Sequence, residues 1–126
     1  MASLTDIAAS EYVLLTTFRK TGVPVATPVW IVADGDGALV TTGATSGKVK
    51  RLRHTPRVTL TPCDARGGVA DGAPTVEAVA EVRDDPETTE RLRRALKGKY
   101  GLKYAMIRGA QKLRRGEPDS VALVLR

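Results

Sequence analysis

The chain has 126 residues and a formal charge of +6, with one His, one Cys, one Trp and one Phe. That length suits one domain, spanning residues 1–126, around one core. So few imidazoles and thiols exclude an internal disulfide and a Cys/His metal cluster.

Residues 1–10 read as a helical arm, capped loosely by Thr5 or Asp6. They show neither a basic leader nor a long apolar run, and no segment has bilayer-spanning length. The lone Cys63 further points to a cytoplasmic protein. Tyr12–Phe18 is rich in β-branched and aromatic residues and reads as a strand. Thr21-Gly22 turns the chain. Val23–Val32 is a second strand, whose Pro24 and Pro28 belong at an edge, a bulge or a ligand-facing rim. Asp34-Gly35-Asp36-Gly37 is a hairpin turn. Ala38–Thr42 is the third strand.

A polar, glycine-containing turn over Gly43–Gly47 leads into a short helix, Lys48–His54, with Val49 and Leu52 facing inward. Pro56 stops it. Arg57–Pro62 is the fourth strand, with Cys63 at its end as a small half-buried residue. A glycine-rich loop over Asp64–Pro74 precedes the fifth strand, Thr75–Arg83. Asp84 or Asp85 caps a helix that starts near Pro86 and runs to Tyr100, where Gly101 breaks it. A helical piece over Leu102–Arg115 and a last strand, Asp119–Leu125, complete the chain. Six short strands joined largely by hairpin-length turns predict a mainly β fold. The expected form is a six-stranded antiparallel barrel, closed or half-closed, with flanking helices. Gly47-Lys48 is followed by Val49, so the chain lacks a Walker motif.

Charge is concentrated in two runs. Residues 45–57 hold five Lys or Arg, and residues 91–115 hold ten, neither with any Asp or Glu. Such fields favour anionic partners. The five aromatic residues are not interleaved with these runs, as a nucleic-acid stacking platform requires. In the first run a helix begins directly after a turn. Its backbone N–H groups attract phosphate, and Lys48 would oppose the helix dipole unless an anion were present. Thr45 and Ser46 can cap the helix or donate to phosphate. Arg51, three residues from Lys48, can share its face, whereas Lys50 and Arg53 lie on another. His54 reads as a polar helix-closing residue. The sequence offers no obvious acid, base or nucleophile, so any chemistry would belong to a bound cofactor.

Three stretches resemble the split β-barrel proteins of the pyridoxamine 5'-phosphate oxidase-like superfamily, and within it the actinobacterial F420-dependent reductases. These are Gly22-Val-Pro-Val-Ala-Thr-Pro-Val-Trp30, Thr42–Lys48 with Val49-Lys-Arg-Leu-Arg-His-Thr-Pro56, and the Val76–Val82 strand running into Asp84-Asp85-Pro86. Thr55 stands where many relatives have Asn. The resemblance covers nearly the whole chain. It implies a homodimer with cofactor clefts at the subunit interface. It implies a cofactor phosphate against Ser46-x-Lys48, and a ring near Thr27, Pro28, Val29, Trp30, Thr41 and Thr42. Trp30 would flank the ring, or else fill the barrel mouth or the dimer seam. The implied activity is hydride transfer between the reduced deazaflavin F420 and an unsaturated or conjugated small molecule. F420 carries a phosphodiester and a polyglutamate tail. A field from Lys97, Lys99, Lys103, Lys112, Arg114 and Arg115 would attract that tail. The alternatives are an FMN-binding protein or FMN-dependent oxidase, and a non-catalytic cofactor-binding or storage protein.

Overall fold

The computed structural model describes residues 3–43, 46–101 and 120–126. Six strands form a closed antiparallel barrel: β1 Tyr12–Phe18, β2 Pro24–Asp34, β3 Gly37–Gly43, β4 Arg57–Cys63, β5 Val76–Arg83 and β6 Ser120–Leu125. Their order around the barrel is β1-β2-β3-β6-β5-β4, and β4 closes it against β1. The hairpin expected at Asp34–Gly37 forms, with Gly35 at φ 59° taking a corner that other residues rarely adopt.

Alternation fixes which side chains enter the barrel. On β1, Val13, Leu15 and Thr17 are fully buried, while Tyr12, Leu14, Thr16 and Phe18 are half-exposed. The inward side chains of all six strands form one cluster, which includes Leu15, Ile31, Val40, Val58, Leu60, Ala80, Leu123 and Leu125. Burying each Leu or Ile there contributes about 1.5–3 kcal/mol.

Two short helices plug the barrel. α1, Leu4–Ile7, precedes the start of β1 and adds Leu4 and Ile7 to the core. Its cap is Ser3 rather than Thr5 or Asp6. Asp6 instead completes a capping box, accepting from the Ser3 N–H at 2.9 Å. α2, Gly47–His54, lies between the end of β3 and the start of β4, hence at the opposite end, and buries Val49 and Leu52. α3, Pro86–Tyr100, packs outside the barrel, placing Leu92, Leu96 and Tyr100 against Val32, Leu39, Ala122 and Val124. Its cap is Asp85, whose carboxylate is held down to about pKa 2 by hydrogen bonds from the Thr88 hydroxyl and backbone N–H and by Arg83. The helical piece expected over Leu102–Arg115 lies outside the described residues.

β2 changes partners midway. Pro24–Trp30 pair with β1, whereas Ile31–Asp34 pair with β3. At the switch, α3 supplies the bonds that β1 no longer makes. The Ile31 N–H donates to the Tyr100 hydroxyl at 3.0 Å, and that hydroxyl donates to the Glu11 carbonyl at 2.6 Å. The Lys99 ammonium has three protons and three carbonyls: Ala8 at 2.7 Å, Ser10 at 2.6 Å and Ile31 at 2.6 Å. Burial pushes the Tyr100 hydroxyl up to about 12 and pulls Lys99 below the ordinary lysine value.

Tyr100→Phe removes this hydroxyl and strands the buried Ile31 N–H. It should cost about 1–3 kcal/mol, read in urea as a lower midpoint at unchanged slope.

Candidate functional site

The ring of paired strands is closed, but along part of β2 one edge is left open among the described residues. Across from the fully buried Val13, Leu15 and Thr17 stand Val29, Thr27 and Val25 of β2. These face the same interior but are only half-buried. The cause is the partner switch. From Pro24 to Trp30 the second edge of β2 pairs with no strand among the described residues. Alternate backbone N–H and C=O groups therefore point into an opening, although Pro28 contributes no N–H. The Thr27 Oγ1 is buried and has no hydrogen-bond partner among the described residues.

The cationic helix stands at the end of this opening. Ser46 caps α2 with an extended backbone, and its hydroxyl lies 3.1 Å from the Thr42 hydroxyl on β3. Its bond from the Val49 N–H is long, at 3.5 Å, which leaves the first turn of α2 weakly capped. Arg51 reaches out of the helix and donates from Nε to the Thr17 hydroxyl at 2.6 Å. The Thr17 hydroxyl in turn points to the Val25 carbonyl at 3.5 Å. Lys48 is half-buried. Burial first, and then the nearby Arg51 charge, pull its ammonium below the ordinary lysine value. No acidic residue occupies the first turn of α2. Two cations thus crowd the positive end of a helix dipole, an arrangement an anion would relieve.

The sequence-predicted residues divide between two faces. Val29 faces the barrel interior, and Thr42 shares the inward parity of Ala38 and Val40. Thr42 lies beside Ser46, and Arg51 reaches Thr17 opposite Val25, whereas Val29 stands about 13 Å further along β2. Pro28, Trp30 and Thr41 have the opposite parity and lie on the outer surface. Trp30 stacks on Tyr100 at 4.2 Å and 11°, and tilts toward Tyr12 at 6.5 Å. Pro28 pairs with Leu14 under the Gly67 loop, and Thr41 pairs with Ala122 beneath α3. Thr45 lies outside the described residues, as do Lys103, Lys112, Arg114 and Arg115. Thr17 was not singled out from the sequence, because an inward threonine at a strand end looks like any β former.

The second cationic run is largely neutralised within the described residues. Arg91 pairs with Asp34 at 3.0 Å, and Arg93 and Arg94 pair with Glu90. Lys99 is held by carbonyls, so it does not contribute an open charge to an anionic tail; Lys97 remains exposed. The Cys63 thiol is pushed up by burial and by Asp64, which makes it a poor nucleophile. No helix among the described residues is long and apolar enough to cross a membrane.

A closed six-stranded antiparallel barrel with flanking helices, and a helix start near the unpaired edge of one strand, matches the split-barrel architecture. The chain belongs to the pyridoxamine 5'-phosphate oxidase family, whose model matches residues 3–126. Solved structures agree on the fold. A conserved hypothetical protein of Mycobacterium tuberculosis is 24% identical with a TM-score of 0.68, the match covering 98% of this chain and 79% of that one. A protein named F420 reductase is 20% identical with a TM-score of 0.64, covering 100% and 94%. The heme-storage protein HutZ of Vibrio cholerae is 15% identical with a TM-score of 0.67, covering 99% and 90%. A search of curated proteins finds no match.

The lowered Lys48 pKa has a pH signature. The unfolded chain holds this proton more tightly than the fold does, so relief of the buried charge adds stability as pH rises through the depressed value toward 10.5. A bound anion reverses that preference. Sulfate should raise Tm more at neutral pH than just below 10.5, and Lys48→Met should flatten the difference in thermal melts.

Proposed function

We propose that this chain is a cofactor-dependent oxidoreductase that holds the phosphate of a flavin-type cofactor at Ser46, Lys48 and Arg51. The observation that carries the reading is the cation pair at the start of α2, with no carboxylate in the first turn to balance it. The residues present fit such a group. The helix start supplies backbone N–H donors, Ser46 and Thr42 supply hydroxyls, and the unsatisfied Thr27 Oγ1 lies along the opening. The free edge of β2 offers backbone donors and acceptors to a flat heteroaromatic ring.

The first reading is F420, with hydride transfer to an unsaturated or conjugated small molecule. When bound, the reduced deazaflavin would supply the hydride. The protein's own residues bind, orient and desolvate. Lys48 and Arg51 anchor the anionic end, and β2 sets the distance from that anchor to the ring. The fold shared with a protein named F420 reductase supports this reading, as does the sequence resemblance. FMN is the second reading, and one observation favours it: two adjacent cations match a doubly charged phosphomonoester better than a singly charged phosphodiester. A role in binding or storage without turnover is the third, because the described residues along β2 present no side-chain acid or base there. In either cofactor reading the protein works in the cytoplasm as a homodimer, and Pro28, Trp30 and Thr41 then belong to a cleft that a second subunit completes.

The test is equilibrium binding of F420 and FMN in parallel at two salt concentrations. Affinity for the preferred cofactor should fall with salt. Lys48→Ala should weaken it about tenfold or more, since a charge-assisted hydrogen bond contributes about 1.5–3 kcal/mol. Full affinity in Lys48→Ala, or binding of neither cofactor, would overturn the proposal.

A further inference from the structure

Arg51 is placed unusually for a helix arginine. Its guanidinium folds back over the first turn of its own helix, against the positive end of the dipole, beside the half-buried Lys48. Two features hold it there. The fully buried Thr17 on β1 accepts the Nε–H at 2.6 Å. Gly47, the first residue of α2, leaves the space that the fork occupies: a Cβ on Gly47 would stand 2.7 Å from Nη1, 3.4 Å from Cζ and 3.5 Å from Nη2. The fork therefore packs on bare backbone, and its Nε is already engaged.

We infer that Thr17 and Gly47 are positioning residues for the anion site. Thr17 fixes Arg51 through Nε, and Gly47 admits the guanidinium over the helix start, so that both Nη groups are aimed at the anion before it binds. This rests on the proposal that Ser46, Lys48 and Arg51 hold phosphate. A guanidinium offers five donors in a rigid fork. Anchoring Nε leaves the two Nη groups for a phosphate, and pre-orienting them removes part of the side-chain ordering cost of binding. Any side chain at position 47 would push the fork off the first turn. A valine at position 17 would keep the packing shape and lose the anchor.

The experiment compares FMN with riboflavin, because their affinity ratio isolates the phosphate. Wild type should prefer FMN. Thr17→Val and Gly47→Ala should each shrink that preference about three- to tenfold while leaving riboflavin affinity unchanged, and Thr17→Ser should restore it. Thermal melts would verify that each variant is folded; Gly47→Ala, at a helical position without a positive φ, tests the idea should Thr17→Val fail to fold. If Arg51→Ala lowers the preference but folded Thr17→Val and Gly47→Ala do not, the positioning role is overturned and the phosphate site stands. If wild type shows no preference for FMN over riboflavin and Arg51→Ala leaves F420 affinity unchanged, the phosphate reading fails and the positioning role falls with it.

Discussion

Everything that makes this barrel more than a closed cylinder follows from the partner switch in β2. A strand that pairs with β1 over Pro24–Trp30 and with β3 over Ile31–Asp34 must leave one partner before it has left the other's reach. At the crossover its backbone groups would be buried without ladder partners, which is costly. Tyr100 and Lys99, consecutive residues at the end of α3, meet that need at Ile31 while also tying down the carbonyls of Ala8, Ser10 and Glu11. One helix end thus fixes the N-terminal arm, the strand junction and, through stacking on Trp30, the outer surface of β2. Among the described residues the switch also leaves the other half of β2 with an unpaired edge, near one end of which α2 presents its cations.

The electrostatics of α2 follow the same logic of incomplete satisfaction. A helix start normally draws acidic residues. Here Ser46 makes a long capping bond, Lys48 is half-buried, and Arg51 is drawn back over the first turn by Thr17. The half-buried Lys48 charge and the second cation beside it are the costly part of this arrangement, and they are what a bound anion would relieve. The family relationship gives that reading a context, while the similar solved structures carry different names and share the fold at low identity.

Much of the fold is legible in the sequence. The six strands, the short cationic helix and the helix after Pro86 announce themselves through β-branched alternation, proline and glycine punctuation and capping residues. The caps themselves were harder: Ser3 rather than Thr5 or Asp6 starts α1, because Asp6 serves better as the reciprocal acceptor. The site was legible only in part. Lys48 and Arg51 stand out as an unopposed pair at helical spacing, whereas Thr17 becomes visible only when β1 is placed opposite α2. Charge counting misled for Arg91, Arg93, Arg94 and Lys99, since their partners, Asp34, Glu90 and backbone carbonyls, lie outside the basic run. Inside and outside on β2 are likewise set by register, which divides Val29 from Pro28 and Trp30.

Amide hydrogen exchange along β2 tests the central claim most directly. Without ligand, those amides of Val25–Trp30 that face away from β1 should exchange faster than those of Ile31–Asp34 that pair with β3. Saturation with F420 or FMN should protect that open half together with the first turn of α2. Equal exchange of these two sets of amides, or bound cofactor that leaves both the unpaired edge and α2 unprotected, would contradict the account.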